Sequence, residues 1–282
     1  MGEIVLAAKI THVPSIWMSE HSEKHKGVRD FAIRGLTELG RRARDRKVDT
    51  FVIFDTHWIV NQGFHLNACE RQSGTFTSHE LPHFLHGLEY DYRGDPVLAE
   101  VIAAAATARG LKALAHQIEG LGFEYGTLIP MRHMNPEGDI RVLSVACNQF
   151  ADVDENRIFG EAVAKAIAAS EARVAVLASG SLSHAFWPNR LSADGLNTVN
   201  GEFNRQMDLR VLDLWQQGRT EEFLAMLPAY IDHCRGEVGM ADTTMLYGAL
   251  GWDSYKGHAE IITDYFGSSG TGQCIVEFPV PS

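Results

Sequence analysis

Three histidines occupy one kind of position, just beyond runs of apolar and β-branched residues. They are His12, His57 and His184, and the runs before them are Ile4–Ile10, Thr50–Phe54 and Arg173–Ala178. Ligands of α/β proteins bind beyond the carboxyl ends of the strands, so these imidazoles could meet at one edge of a sheet. Two imidazoles and one carboxylate are a ligand set for non-haem Fe(II). The pattern therefore predicts a metal centre with coordination positions left open for small molecules.

His12 and His57 are the preferred metal ligands, and Glu237 is the candidate carboxylate. Glycines close to Glu237 would let the backbone approach a crowded site. His184 follows the small residues of Gly-Ser-Leu-Ser, which favours an acid/base role for it over a third imidazole ligand. Asp242 is predicted to cap the helix that follows Glu237. The alternatives are a solvated surface glutamate and a histidine that caps a turn.

Other chemistry-bearing patterns are weaker. The serines near His184 suggest a serine hydrolase, but the Gly-x-Ser-x-Gly nucleophile elbow is missing. His79, His83 and His86 form a second cluster, which we interpret as a loop that borders the pocket, with a separate zinc site as the alternative. The sequence SSGTGQ near the C-terminus lacks the Walker lysine and the Rossmann spacing, so it is interpreted as a turn.

Apolar runs alternate with amphipathic stretches along the chain, without a linker or a repeat. The predicted strands are the three runs above and Phe64–Ala68, Ile140–Ala146, Glu260–Asp264 and Cys274–Phe278. The predicted helices are Val28–Arg46, Pro96–Arg109, Glu155–Ser170, Thr198–Gln217, Thr220–Leu227 and Asp242–Leu250. Asp95 and Pro96 are typical of a helix start and Gly110 of a helix end. The prediction is one α/β domain over residues 1–282, with a central, mostly buried mixed sheet flanked by helices.

Composition excludes several classes of function. The 282 residues are 45% hydrophobic and 22% charged, as in an ordinary globular protein. A net charge of −11 argues against binding to nucleic acid or to anionic lipid. The four cysteines form no CxxC pair, so neither a disulfide framework nor a zinc ribbon is expected. No stretch approaches about 18 apolar residues, and Glu3 and Lys9 do not suit a signal peptide, so we expect a cytoplasmic protein without a membrane span.

Seven sequence blocks occur in order along the chain: AAKITHVPS, VDTFVIFDTHW, ELPHF, EYGTLIPMR, VLASGSLSHAF, RGEVGMADTTMLYGALGW and SSGTGQ. Together they resemble the class III extradiol ring-cleaving dioxygenases, the superfamily of the protocatechuate 4,5-dioxygenase catalytic subunit. A single block such as FDTHW has little specificity, whereas seven in order are a specific match. The resemblance extends from Ile4 to the C-terminal VEFPVPS.

The resemblance implies a role for each matching residue. His12 and His57 resemble the two histidine ligands of an Fe(II) ion, and Glu237 resembles the carboxylate ligand. His184 resembles the acid/base histidine beside the metal. His116 falls where the superfamily has another pocket histidine. Mn(II) remains an alternative because the same ligands accept both ions.

The implied reaction is extradiol cleavage of a catechol by O2 in the catabolism of aromatic compounds, catalysed by a homo-oligomer. Within the family, the blocks are most similar to members that cleave 3,4-dihydroxyphenylacetate to 5-carboxymethyl-2-hydroxymuconate semialdehyde. Protocatechuate, gallate or an aminophenol is the alternative substrate, and a non-catalytic subunit is the alternative function. Arg132 and Lys9 are candidate anchors for a substrate carboxylate, and Tyr125 is a candidate pocket residue.

Overall fold

A mixed sheet lies at the centre of the computed structural model, which describes residues 1–280. The described strands are β1 (Glu3–Ile10), β2 (Thr50–Val60), β3 (Phe64–Asn67), β4 (Arg71–Phe76), β5 (Leu88–Arg93), β6 (Ala113–His116), β7 (Arg141–Asn148), β8 (Arg173–Ser179), β9 (Glu260–Ser268) and β10 (Thr271–Phe278). The strands β4 and β5 form a separate two-stranded sheet, and the other eight form the central one. Eight strands follow the order β6-β3-β7-β2-β8-β1-β10-β9. The four in the middle, β7, β2, β8 and β1, run parallel. Residues 281 and 282, which end the predicted domain, lie outside the described residues.

Helices cover both faces of this sheet. They are α1 (Ser15–His21), α2 (Asp30–Asp45), α3 (Pro96–Thr107), α4 (Tyr125–Met134), α5 (Val153–Ala169), α6 (Glu202–Gln216), α7 (Thr220–Cys234) and α8 (Ala241–Leu250). In β2, Val52 and Phe54 pack with the cluster under α3 and α5 to α8, while Phe51 and Ile53 pack with the cluster under α1, α2 and α4. This alternation is that of a strand buried on both faces. The predicted central mixed sheet flanked by helices is confirmed. Across residues 1–280, every helix falls short of the length and apolar character that a bilayer span requires.

Local sequence signals account for several helix ends. The Asp95 side chain accepts a hydrogen bond from the Leu98 amide, and Pro96 begins α3, as predicted. The prediction that Asp242 caps α8 is wrong. That helix begins one residue earlier, at Ala241, and the buried Asp242 carboxylate lies 2.5 Å from Lys9 Nζ. A buried ammonium group is a stronger partner for this carboxylate than the helix N-terminus.

Short elements escaped the sequence analysis. The strand β4 is mostly polar, and β6 has only four residues. The strand β5, LEYDYR, alternates apolar and polar residues but was not among the predicted strands. The helix α4 is buried almost all round and contains Pro130, so it shows no clear hydrophobic period. The helix α1 has only seven residues. The predicted end of β2 at Phe54 is also wrong, because its pairing with β7 resumes at Ile59 beyond a bulge.

The strand order decides where the candidate residues lie. Because β8 separates β2 from β1 and all three are parallel, their carboxyl ends lie side by side. His12 follows β1, His57 lies in the bulge of β2, and His184 follows β8. The sheet therefore brings segments that are far apart in the sequence to one edge, as the strand-end pattern predicted.

Candidate metal centre

The side chains of His12, His57 and Glu237 converge on one point. One ligand atom from each residue lies within 4.8 Å of the other two. Nε2 of His12 and Nε2 of His57 each lie 3.6 Å from Glu237 Oε1. Imidazole nitrogens and carboxylate oxygens bind divalent ions at about 2.0–2.2 Å, so two donors of one ion lie no more than about 4.4 Å apart. The two distances of 3.6 Å to Glu237 Oε1 fall within this limit. The arrangement can hold a metal, and its donor set suits iron or manganese.

A serine fixes the orientation of His12. Ser179 Oγ donates its single proton to the Gly126 carbonyl at 2.6 Å. The same oxygen lies 3.0 Å from His12 Nδ1 and must therefore accept a hydrogen bond from that nitrogen. With its proton on Nδ1, His12 presents the lone pair of Nε2 toward Glu237 and His57. A hydrogen bond to the non-ligating nitrogen is the usual way in which proteins orient a histidine ligand.

Replacing Ser179 by alanine is expected to weaken metal binding by about 10- to 100-fold, the range typical of groups that orient a ligand. The reason is that His12 loses the acceptor that holds its tautomer and ring direction. Titration of the metal-free protein with Mn(II) under anaerobic conditions measures the effect. The matched control is Ser19→Ala, a buried serine of α1 whose hydroxyl accepts a hydrogen bond from the Arg29 amide and which does not line the cavity. Equal affinity for the Ser179→Ala variant and the wild type would rule out this orienting role.

The bulge of β2 presents His57. The fully buried Asp55 carboxylate accepts a hydrogen bond from the His57 amide at 2.8 Å and another from Thr127 Oγ1 at 2.7 Å. The Tyr125 ring packs against the imidazole with a centroid separation of 3.7 Å. Burial, together with the nearby His12, lowers the pKa of His57 to about 3. The imidazole is therefore neutral at physiological pH, which is the form that binds a metal.

Glu237 lies in a strained turn between α7 and α8. The residues Val238 and Met240 have φ values of 45° and 58°, and a positive φ is rare for a β-branched residue. The turn places the carboxylate so that Thr56 Oγ1 lies 2.7 Å from Oε1 and the Ser181 amide donates to Oε2 at 2.5 Å. Burial opposes ionisation, but the adjacent histidines His184 and His12 hold the pKa of Glu237 well below its ordinary value. The site therefore offers a preformed anionic ligand.

His184 lies beside the carboxylate rather than in the ligand cluster. Its Nδ1 is 2.8 Å from Ser181 Oγ and 3.5 Å from Glu237 Oε2. Phe186 packs edge-on against the ring at 4.7 Å. Burial lowers the pKa of His184, but the carboxylates, Glu237 first, more than offset this effect and raise it above the ordinary value. This arrangement suits a group that gains and loses a proton near neutral pH.

The loop that carries His184 is tied to the core by a buried acid. Asp208 of α6 accepts hydrogen bonds from the Ser183 amide at 3.1 Å and from Ser183 Oγ at 2.7 Å. Ser183 therefore has a structural partner. No α-helix follows β8 directly, since the next one in residues 1–280 begins at Glu202. The strand–turn–helix geometry of a nucleophile elbow is thus missing around Ser181, which disfavours the hydrolase alternative.

The three ligand candidates and His184 line one cavity of about 880 Å³. Its wall includes Tyr125, as the sequence analysis suggested, and the aromatic residues Phe186 and Trp187. It also includes residues that sequence reasoning passed over: Lys24, His25, Glu80, Gln149, Thr271 and Gln273. Of the second histidine cluster, His83 lines the cavity. Residues 1–280 contain one group with metal-ligand spacing, the His12, His57 and Glu237 set, so nothing supports a separate zinc site.

Three residues singled out from the sequence lie elsewhere. His116 is on the outermost strand, β6, where its Nε2 is 2.8 Å from His65 Nδ1, and the cavity wall does not include it. Lys9 is fully buried against Asp242 and also lies outside the wall. Arg132 pairs with Glu20 at 3.3 Å at a different surface groove. Neither cation is an anchor for a substrate in this cavity, and those predictions are wrong. His116, Lys9 and Arg132 were candidates because they lie near the motifs in the sequence, but the folded chain places each of them against a partner outside the cavity.

The fold agrees with comparisons to known proteins. A family model described as the catalytic LigB subunit of aromatic ring-opening dioxygenase matches residues 6–279. The chain is 47% identical to the 3,4-dihydroxyphenylacetate 2,3-dioxygenase of Escherichia coli, over 91% of this chain and 94% of that protein. It is 25% identical to the 2-aminophenol 1,6-dioxygenase beta subunit of a Pseudomonas species, over 98% and 94% of the two chains. A crystal structure of an uncharacterised Escherichia coli K12 protein matches with a TM-score of 0.67 at 16% identity, over 96% and 98%.

Proposed function

The chain belongs to the catalytic LigB subunit family of aromatic ring-opening dioxygenases, and from that premise we propose that it cleaves the ring of 3,4-dihydroxyphenylacetate. It is an extradiol catechol dioxygenase, an oxidoreductase that incorporates O2 into an aromatic ring. The product is the ring-opened 5-carboxymethyl-2-hydroxymuconate semialdehyde. The 47% identity to the Escherichia coli enzyme supports this substrate over 2-aminophenol, whose named relative is 25% identical.

The observation that carries the proposal is the convergence of His12, His57 and Glu237 in one cavity. We assign these three residues as the metal ligands and Fe(II) as the ion. With Fe(II) bound there, these residues would hold an ion that can transfer electrons between a catechol and O2. Placing both substrates in one site makes their reaction effectively unimolecular. The volume of about 880 Å³ is ample for a catechol with an acetate side chain.

His184 is the proposed acid/base residue. Its Nδ1 contacts Ser181 Oγ. When Nδ1 carries the proton and donates it to that oxygen, Nε2 has a free lone pair and can accept a proton. Nε2 then takes a proton from a catechol hydroxyl and returns it later in the reaction. One group can serve both steps because an imidazole pKa lies close to neutrality. The ring of Phe186 packs against that of His184, and the ring of Tyr125 packs against that of His57.

Anaerobic loading of the metal-free protein with Fe(II), followed by air and 3,4-dihydroxyphenylacetate, tests the function. We expect a yellow semialdehyde to form with the consumption of one O2 per substrate. Protein loaded with Zn(II) is the control, because zinc cannot exchange electrons with the substrate. Parallel assays with protocatechuate, gallate and 2-aminophenol test the substrate. Faster cleavage of one of these compounds would contradict the assigned substrate. Loading with Mn(II) in place of Fe(II) tests the assigned ion, and a higher rate with Mn(II) would contradict it.

We further propose a single catalytic domain over residues 1–282 that acts in the cytoplasm as a homo-oligomer. The family match over residues 6–279 supports the extent of the domain. Light scattering coupled to size-exclusion chromatography measures the mass of the assembly. A mass of 31.2 kDa, that of one chain, would contradict the oligomer.

A further inference from the structure

The carboxylate of a catechol acid such as 3,4-dihydroxyphenylacetate needs a partner in the cavity. The protein has a net charge of −11, so its overall field repels an anionic substrate. A nearby cation would offset this repulsion and would form a charge-assisted hydrogen bond with the carboxylate. This question rests on the proposed function, because a neutral catechol would need no such partner.

The cavity wall offers one ammonium group. Among the residues that line it, Lys24 is the single lysine or arginine. Other basic residues near the site already have partners. Lys9 lies 2.5 Å from Asp242, and the buried Arg29 donates to Ser15 Oγ and to the Gly267 carbonyl. Neither of these side chains is available to a substrate.

Lys24 lies at the opening of the cavity, in the short turn Glu23–His25 that connects α1 to α2. Its side chain is exposed, and no carboxylate within residues 1–280 comes within 4.0 Å of its ammonium group. The neighbouring His25 is half-buried and lines the same wall, where its ring can donate a second hydrogen bond. A lysine also has the length and flexibility to follow a substrate into the cavity.

The two acids of the wall lie on other segments. Glu237 belongs to the metal cluster, and Glu80, in the β4–β5 connection, accepts a hydrogen bond from the Tyr125 hydroxyl at 3.1 Å. An anionic substituent is therefore disfavoured near Glu80 and favoured near Lys24, on the α1–α2 connection. This asymmetry gives the substrate a preferred direction, with its diol toward the histidines and its acid toward the opening.

We propose that the Lys24 ammonium group binds the side-chain carboxylate of the substrate and makes the enzyme prefer acidic catechols over neutral ones. Lys24 determines specificity and takes no part in the bond-breaking steps. Because it is exposed, its contribution is smaller than that of a buried ion pair.

The test compares Lys24→Met with the wild type on 3,4-dihydroxyphenylacetate and on neutral 4-methylcatechol. We expect kcat/KM for the acid to fall about 2- to 5-fold, mainly through KM, while kcat/KM for the neutral catechol stays unchanged. Lys24→Arg should restore most of the preference for the acid. The matched control is Lys26→Met, an exposed lysine two residues away that does not line the cavity. An equal loss on both substrates, or no loss on either, would overturn the proposal.

A binding measurement separates this proposal from the proposed function. Calorimetry with 4-hydroxyphenylacetate and with p-cresol, neither of which is a catechol, reports the carboxylate contact without turnover. If the wild type leaves 3,4-dihydroxyphenylacetate uncleaved, the proposed substrate is wrong. The anchor is still supported if Lys24→Met binds 4-hydroxyphenylacetate more weakly than the wild type does but binds p-cresol equally well. A wild type that binds the acid no more tightly than p-cresol overturns the anchor whatever the enzyme cleaves.

Discussion

His12→Ala and His57→Ala are each expected to abolish stable metal binding and, with it, ring cleavage. Two remaining ligands cannot hold a labile divalent ion, because each lost donor removes both binding energy and preorganised geometry. We expect metal affinity to fall by more than about 100-fold, beyond the usual effect of losing a group that only orients a ligand. The measurement is metal content after anaerobic loading with Fe(II) and desalting.

The matched control for this prediction is His258→Ala, which removes an exposed histidine that does not line the cavity. Far-ultraviolet circular dichroism and the urea midpoint show whether each variant is folded. His57 is neutral because its pKa is about 3, so its loss leaves no unpaired charge in the site. Wild-type metal content in either folded variant would contradict the assigned ligands.

His184→Ala is expected to retain its metal and to lose about 10²- to 10⁴-fold in kcat, the usual contribution of a positioned proton-transfer group. Glu237 keeps its contacts with Thr56 Oγ1 and the Ser181 amide when the His184 ring is removed, so we expect the three ligands to stay in place. Metal content and single-turnover rates with 3,4-dihydroxyphenylacetate separate the two effects. Partial recovery of the rate on adding free imidazole would identify the missing group as a proton carrier.

Two outcomes would remove His184 from the mechanism. One is a variant with full metal content and unchanged turnover. The other is a variant that loses its metal, which would make the residue a ligand or a structural support. His86→Ala is the matched control, since this exposed histidine belongs to a neighbouring loop but does not line the cavity.

Much of the fold could be predicted because long buried strands have a simple signature. The β8 strand is apolar from Val174 to Ala178, and β1 is apolar from Ile4 to Ala8, since these residues lie in the interior of the sheet between layers of helices. Ligand candidates could be found at the ends of such runs without any knowledge of contacts. Short or wholly buried elements, such as β6 and α4, have no comparable periodicity, and the sequence analysis missed them.

Amino-acid order alone determined the chemistry that this protein can carry: imidazoles at strand ends, an acid between glycines, and motif blocks in the order of one family. Tertiary packing decided which charges meet. Lys9 and Asp242 are 233 positions apart and pair in the interior, whereas Lys24, which had no motif around it, lines the cavity. The physical reason is that side-chain identity is a local property, but the partner of a charge depends on which distant segments the folded sheet brings within a few ångströms.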